Sequence, residues 1–238
     1  MLKGILKYAV LVSLMTATLV ISPVEAATKQ EKQVTTDFAK YKTGMTITEF
    51  AKQRYGKTYK NQLTKKYGRT VLKEKPLKEE STERVNFLYY GIYDRKVETP
   101  ENPMIFLFTV KPKEKVYRLT LKSLEITAKN PMRVRQSDKQ LKTGKQVAFG
   151  MTEKQLDQIL TGKHLGDWTN RTVTDFSHTL SERDMDTLRL GQALSKTYIF
   201  QMNDPNQRLL VEMKRDPNEK IYRVSGYESV SSNRVINQ

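Results

Sequence analysis

The sequence predicts an α+β protein of two tandem units, each a short helical N-terminal segment packed on an antiparallel β-sheet. Three observations predict it. "TGMTITEFAKQRYG", ending at Gly56, and "FGMTEKQLDQILTG", ending at Gly162, share Gly-Met-Thr, an amphipathic run and a closing Gly at an offset of 106 residues. "KPKEKVYRL" (Lys111–Leu119) and "DPNEKIYRV" (Asp216–Val224) keep Pro, Glu, Lys, Tyr and Arg in register at an offset of 105. Within each copy the apolar spacing then changes from a helical period to the aromatic, β-branched runs of strands. The expected organisation is a leader at 1–26, a tail at 27–37, a first unit at 38–129, a linker at 130–141, a second unit at 142–230 and a C-terminal tail at 231–238.

The leader reads as a secretory signal peptide. Lys3 and Lys7 precede an apolar run from Tyr8 to Val20, and Val24 and Ala26 set a cleavage site after Ala26. That run is shorter than the ~20 residues a spanning helix needs, and no later segment is apolar enough to span a membrane. An extracytoplasmic protein, secreted or held at the cell envelope, is expected. It has no cysteine, so a disulfide framework and a thiol nucleophile are both excluded. Burial of an ordinary core must hold it together.

Each unit opens on a helix signal. Thr46 and Thr152 are N-caps whose hydroxyls can accept from the first turn. Glu49 and Gln155, three residues on, complete capping boxes. Ile47, Phe50 and Ala51 form one apolar stripe; Leu156, Ile159 and Leu160 form the other. Gly56 and Gly162 suit left-handed helix exits, and 61–67 reads as a second short helix. Strands are expected at Val85–Tyr93, Met104–Val110 and Val116–Leu121, then at Lys196–Met202, Arg208–Lys214 and Ile221–Val230. "NDPNQ" and "RDPNEK" supply turns, and short connections imply antiparallel neighbours. The linker is "KNPMRVRQSDKQ", Lys129–Gln140.

Gly-Met-Thr, a helix, Gly and a run of antiparallel strands together resemble the β-lactamase-inhibitor-protein-like fold family, seen also in small outer-membrane assembly lipoproteins. The resemblance covers nearly the whole chain after the leader. It implies paired sheets that offer a concave surface and loops to a protein partner. The inhibitors carry disulfides and this chain has no cysteine; their inhibitory loop residues match no positions here. The opening of the first unit also resembles a LysM peptidoglycan-binding module. There, however, Met45 and Ile47 stand where LysM favours Asp and Leu, and the second copy loses the Ala and Tyr-Gly.

The net charge is +16, which favours association with anionic envelopes, lipids or acidic proteins. It is unevenly spread. Residues 38–129 hold 21 basic and 10 acidic residues, whereas 142–230 hold 13 and 12. The densest stretch is Ala51–Arg69, with seven Lys or Arg, three Tyr and no acid. Its counterpart, Asp157–Asp175, has two basic and three acidic residues, so the fold itself does not demand the charge. The candidate binding patch is therefore Lys52, Arg54, Tyr55, Lys57, Tyr59, Lys60, Lys65, Lys66, Tyr67 and Arg69. Lysine and arginine neutralise phosphates and tyrosine stacks on bases or sugars. An anionic wall polymer fits such a patch, and nucleic acid fits it only as a non-specific polyanion. Trp168 is either a loop contact or a core anchor.

No catalytic pattern emerges. There is no Gly-x-Ser-x-Gly elbow and no phosphate loop. His164 and His178, with Asp167 or Asp175, lack zinc-site spacing. "SERDMD" (Ser181–Asp186) lacks the glycine turn of a calcium loop and reads as a solvated loop. The expectation is a non-enzymatic binding protein without cofactor or metal, directed at a protein partner near the envelope. The alternatives are a cationic polymer binder and an inhibitor of a hydrolase such as a β-lactamase or protease.

Overall fold

The computed structural model describes residues 35–92, 104–126 and 135–232. The leader, most of the tail at 27–37, much of the linker and the C-terminal residues 233–238 lie outside the described residues. The architecture is α+β, with a small helical part and mostly antiparallel strands. After a helical turn at 35–39, helix α1 (Ile47–Tyr55) runs into a 3-10 helix (Gly56–Gln62) and a two-stranded hairpin, β1 (Leu63–Lys66) and β2 (Arg69–Leu72). The strands β3 (Lys78–Ser81), β4 (Asn86–Ile92), β5 (Met104–Val110) and β6 (Arg118–Glu125) follow. Helix α2 (Glu153–Ile159) precedes β7 (Asn170–Thr174), helix α3 (Glu182–Leu188), β8 (Ala193–Gln201), β9 (Gln207–Arg215) and β10 (Arg223–Ser231). From β3 to β10 the strands form one eight-stranded meander in sequence order, every neighbour antiparallel.

The helices form where their caps allow. Thr46 Oγ1 accepts from the Glu49 amide (3.2 Å) while the Glu49 carboxylate accepts from the Thr46 amide (2.8 Å). Thr152 and Gln155 make the same reciprocal pair, at 3.3 and 2.8 Å. These bonds satisfy donors that a helix start leaves unpaired. Helix α1 buries Ile47, Phe50 and Ala51. Phe50 sits at the centre of its core, with ring centroids 4.9 Å from Tyr41, 4.8 Å from Phe106 and 5.1 Å from Phe108. The α2 core gathers Leu156, Leu160, Trp168, Tyr198, Phe200, Val211 and Met213. A third cluster places Phe176 and Leu180, with Met185 and Leu188 of α3, against Leu107 and Leu121.

The two repeat segments adopt matching geometry. The Gly44 amide donates to the Leu119 carbonyl and the Leu119 amide to the Met45 carbonyl; Gly150, Val224 and Met151 repeat both bonds. Isolated bridges join Thr46 to Arg118 and Thr152 to Arg223. The register of β5–β6 shifts at Thr120 and that of β9–β10 at Ser225, so the two bulges also lie 105 residues apart.

Several expectations need correction. Residues 61–67 are not a helix: a 3-10 turn gives way to β1, because Tyr67 and Gly68 both take positive φ (51° and 74°) and fold the chain into a two-residue hairpin turn. "SERDMD" opens helix α3, whose N-cap Ser181 accepts from the Asp184 amide. Strand β6 begins at Arg118 and runs to Glu125. The edge strand β3 and the inner strand β7 had no sequence expectation. Helix α2 ends at Ile159, before Gly162. The latter half of the linker is structural, with the Ser137 amide donating to Ile199 and the Gln201 amide to Lys139. Trp168 is 6% exposed in the α2 core, the core-anchor reading.

Candidate functional site

The candidate basic residues occupy one continuous piece of structure: the end of α1, the 3-10 helix and the β1–β2 hairpin. The fold uses about half of them for itself. Arg69 closes the hairpin opposite Lys66, and its guanidinium donates to the carbonyls of Glu114 (2.9 Å), Lys111 (3.5 Å) and Pro112, pinning the β5–β6 turn. The Lys66 amine donates to both oxygens of Glu79 on β3, at 2.6 and 2.7 Å, which holds its pKa above the ordinary lysine value. Tyr55 donates to Glu74 (3.3 Å), and its half-burial pushes the phenol up. The Arg54 guanidinium lies over the Tyr55 ring, at 5.4 Å, with its Nε buried and unbonded. Tyr59 packs against the α1 core and carries the Lys52 amine over its face, at 5.3 Å.

The remaining cations point outward. Lys52, Lys57, Lys60 and Lys65 are exposed and form no ion pair among the described residues. Lys65 donates to its cross-strand partner Thr70 at 2.9 Å. Tyr67, at the hairpin tip, is 87% exposed with the Lys66 amine 5.6 Å from its ring. An aromatic ring displayed this fully by a rigid turn, among unpaired ammonium groups, suits a polyanion or an acidic surface. Beside the hairpin lies a cleft of about 380 Å³, floored by Val71, Leu88 and Tyr90 and rimmed by Lys65, Lys66, Lys73, Lys75, Glu74 and Glu79.

Sequence reasoning missed the rim residues Lys73, Glu74, Lys75 and Glu79, and Thr70, the partner of Lys65. The signal was present: Tyr67-Gly68 between two β-capable runs, then "LKEKPLKEE", whose acids answer the preceding lysines. The histidines sit elsewhere. His178 Nε2 is 3.2 Å from Asp175 Oδ2, and the Ser177 hydroxyl donates to the same carboxylate at 2.6 Å. Serine and histidine thus both approach the aspartate rather than each other, and the Ser177–Asp175 bond is turn chemistry. His164 is exposed with φ 66°. No group of three or more metal-ligating side chains lies together among the described residues.

The opposite face of the sheet carries a second feature. Leu121 packs under the α3 segment; Ser123 and Glu125 follow at two-residue spacing on the same face. Their cross-strand neighbours are Thr172 and Asn170, then Ser195 and Thr197. Ser123 and Thr172 hydroxyls bond at 2.9 Å, and the Asn170 amide donates to Ser123 at 2.9 Å. Burial raises the Glu125 carboxyl above the usual range. The result is a band of polar groups beside the apolar α3 cover, pre-ordered at Ser123, Thr172 and Asn170.

No family model matches the chain, and no curated protein or solved structure matches it either.

Proposed function

We propose that the chain is a secreted, non-enzymatic binding protein of two tandem α+β units that engages a protein partner at or near the cell envelope. The observation that carries this reading is the broad polar band on β6, β7 and β8. Its side chains are half-buried, and Ser123, Asn170 and Thr172 at its centre are hydrogen-bonded to one another, so binding through those three costs little side-chain ordering. Such a surface suits a flat macromolecular partner better than a small molecule. The tandem reading is supported by the paired capping boxes, the paired Gly-Met backbone bonds and the paired bulges.

The unpaired cations Lys52, Lys57, Lys60 and Lys65 favour a second, auxiliary role: electrostatic retention near an anionic polymer. The two contributions separate experimentally. Purified protein is cosedimented with cell envelopes, intact or protease-treated, at low and high salt. Binding that survives high salt and disappears after protease treatment is expected. Binding indifferent to protease and abolished by salt would replace the protein partner with an anionic polymer.

A further inference from the structure

The two ends of the eight-stranded sheet are finished differently. At one end β3 is short, and its four residues Lys78–Ser81 are all exposed and mostly charged, which discourages further pairing. At the other end β10 spans nine residues without proline. Beside it stands Phe149, 69% exposed, its ring centroid 5.0 Å from that of the strand's own Tyr227, 40% exposed.

The hydrogen bonding of β10 is defined on both sides. Its start is covered, because Val224 exchanges backbone bonds with Gly150 and Met151. Past the bulge, the Ser232 amide donates to the Asn206 carbonyl, which fixes the antiparallel alternation. Residues Gly226, Glu228 and Val230 bond inward to β9, while the N–H and C=O groups of Tyr227, Ser229 and Ser231 point away from the sheet. Among the described residues nothing pairs with them.

The same edge exists inside the molecule, fully paired. At an offset of 105 the equivalents of those three residues are Lys122, Leu124 and Ile126. There β7 completes the ladder, bracketed by bonds from Asp175 to Thr120 and from Ile126 to Thr169, both 2.8 Å. Where a strand covers the edge, the residue is a lysine, 7% exposed. Where the described chain leaves the edge open, it is a tyrosine beside a phenylalanine. Solvent would favour the reverse placement.

We propose that β10 is a dimerisation edge, to which a second copy of this chain adds antiparallel through its own β10 about a two-fold axis at Ser229. In this register Ser229 faces itself, Tyr227 faces Ser231 and Glu228 faces Val230. All outward backbone groups are paired and no like charges meet. The contact is isologous and closes as a dimer. Head-to-tail growth would instead bring Glu228 against the charged β3 of the next copy.

Sedimentation velocity of residues 27–238, which hold every described residue, tests this from ~1 to ~100 μM. A dimer is expected. Ser229→Pro removes one outward N–H and leaves the β9 ladder intact, so it weakens the dimer by at least ~tenfold with an unchanged circular-dichroism spectrum. Tyr227→Lys moves in the same direction. A protein that stays monomeric throughout overturns the proposal, as does a dimer indifferent to Ser229→Pro. If ending the chain at Ser232 converts a monomer into a dimer, residues 233–238 are the occupant of the edge and the proposal fails.

Discussion

Lys122 is a lysine buried in the core, 7% exposed. Its amine donates to the Phe38 carbonyl at 2.8 Å and lies 4.2 Å from the Phe38 ring centroid. Burial, aided by the charge of Arg171, lowers its pKa from 10.5 to about 8. The unfolded chain therefore binds more protons than the folded one between those values, so stability rises with pH across that window. The full span is worth roughly 3 kcal/mol. Lys122→Met should remove this slope, read as urea midpoints at pH 7, 8.5 and 9.5 for both proteins; parallel curves would contradict the assignment. The readings stop short of pH 10 because burial also holds the Tyr90 and Tyr117 hydroxyls above their ordinary value, and their ionisation destabilises the fold there. Glycines offer a second comparison. Gly44 and Gly150 take φ 85° and 78°, but a Cβ on Gly44 would lie 2.7 Å from His178 Nε2, whereas one on Gly150 meets nothing within 4 Å. Gly150→Ala should cost ~1–2 kcal/mol and Gly44→Ala more, by chemical denaturation. Neither Lys122 nor the His178 contact was legible in the sequence, since burial of a lysine and a clash between residues 134 positions apart are tertiary facts.

At the scale of elements, legibility followed locality. The capping boxes at Thr46 and Thr152 were readable because every participant lies within four residues. Thr46→Ala and Thr152→Ala should each destabilise by ~1 kcal/mol, measured by urea unfolding; no loss in either would mean the box is solvent-compensated. Strand β5, paired on both sides and apolar, matched its expected bounds, Met104–Val110. Strands β3 and β7 escaped because "KEES" and "NRTVT" carry few apolar residues: one lies at an exposed edge, and the other is held by neighbouring strands on both sides. Residues 61–67, which hold β1, read as a helix because lysine-rich runs have good helix propensity, and the decisive feature is the turn at Tyr67-Gly68. Gly68→Val should disorder the tip, since a β-branched residue does not tolerate φ 74°, and so scatter the lysines around Tyr67. Loss of the Lys65–Thr70 cross-strand nuclear Overhauser contacts is the expected readout.

At the scale of the whole molecule, the charge asymmetry read from the sequence resolves into two kinds of cation. Lys66, Arg69 and Arg54 are spent on Glu79, on backbone carbonyls and on Tyr55. Lys52, Lys57, Lys60 and Lys65 stay exposed, without an ion pair among the described residues. Composition alone could not separate the two kinds, because it cannot tell a cation that holds a turn from one that faces water. The polar band on β6–β8 was invisible for the opposite reason: serine, threonine and asparagine from three strands become one surface only once the register is set. The most direct measurement is envelope binding of two variants at physiological salt, each checked for native circular dichroism. One, Thr172→Arg with Thr197→Arg, disrupts the band; the other, Lys57→Gln with Lys60→Gln and Lys65→Gln, removes the free cations. The expected result is at least ~tenfold loss for the band variant and a smaller, salt-suppressible loss for the lysine variant. Full binding by the band variant, with none by the lysine variant, would contradict it.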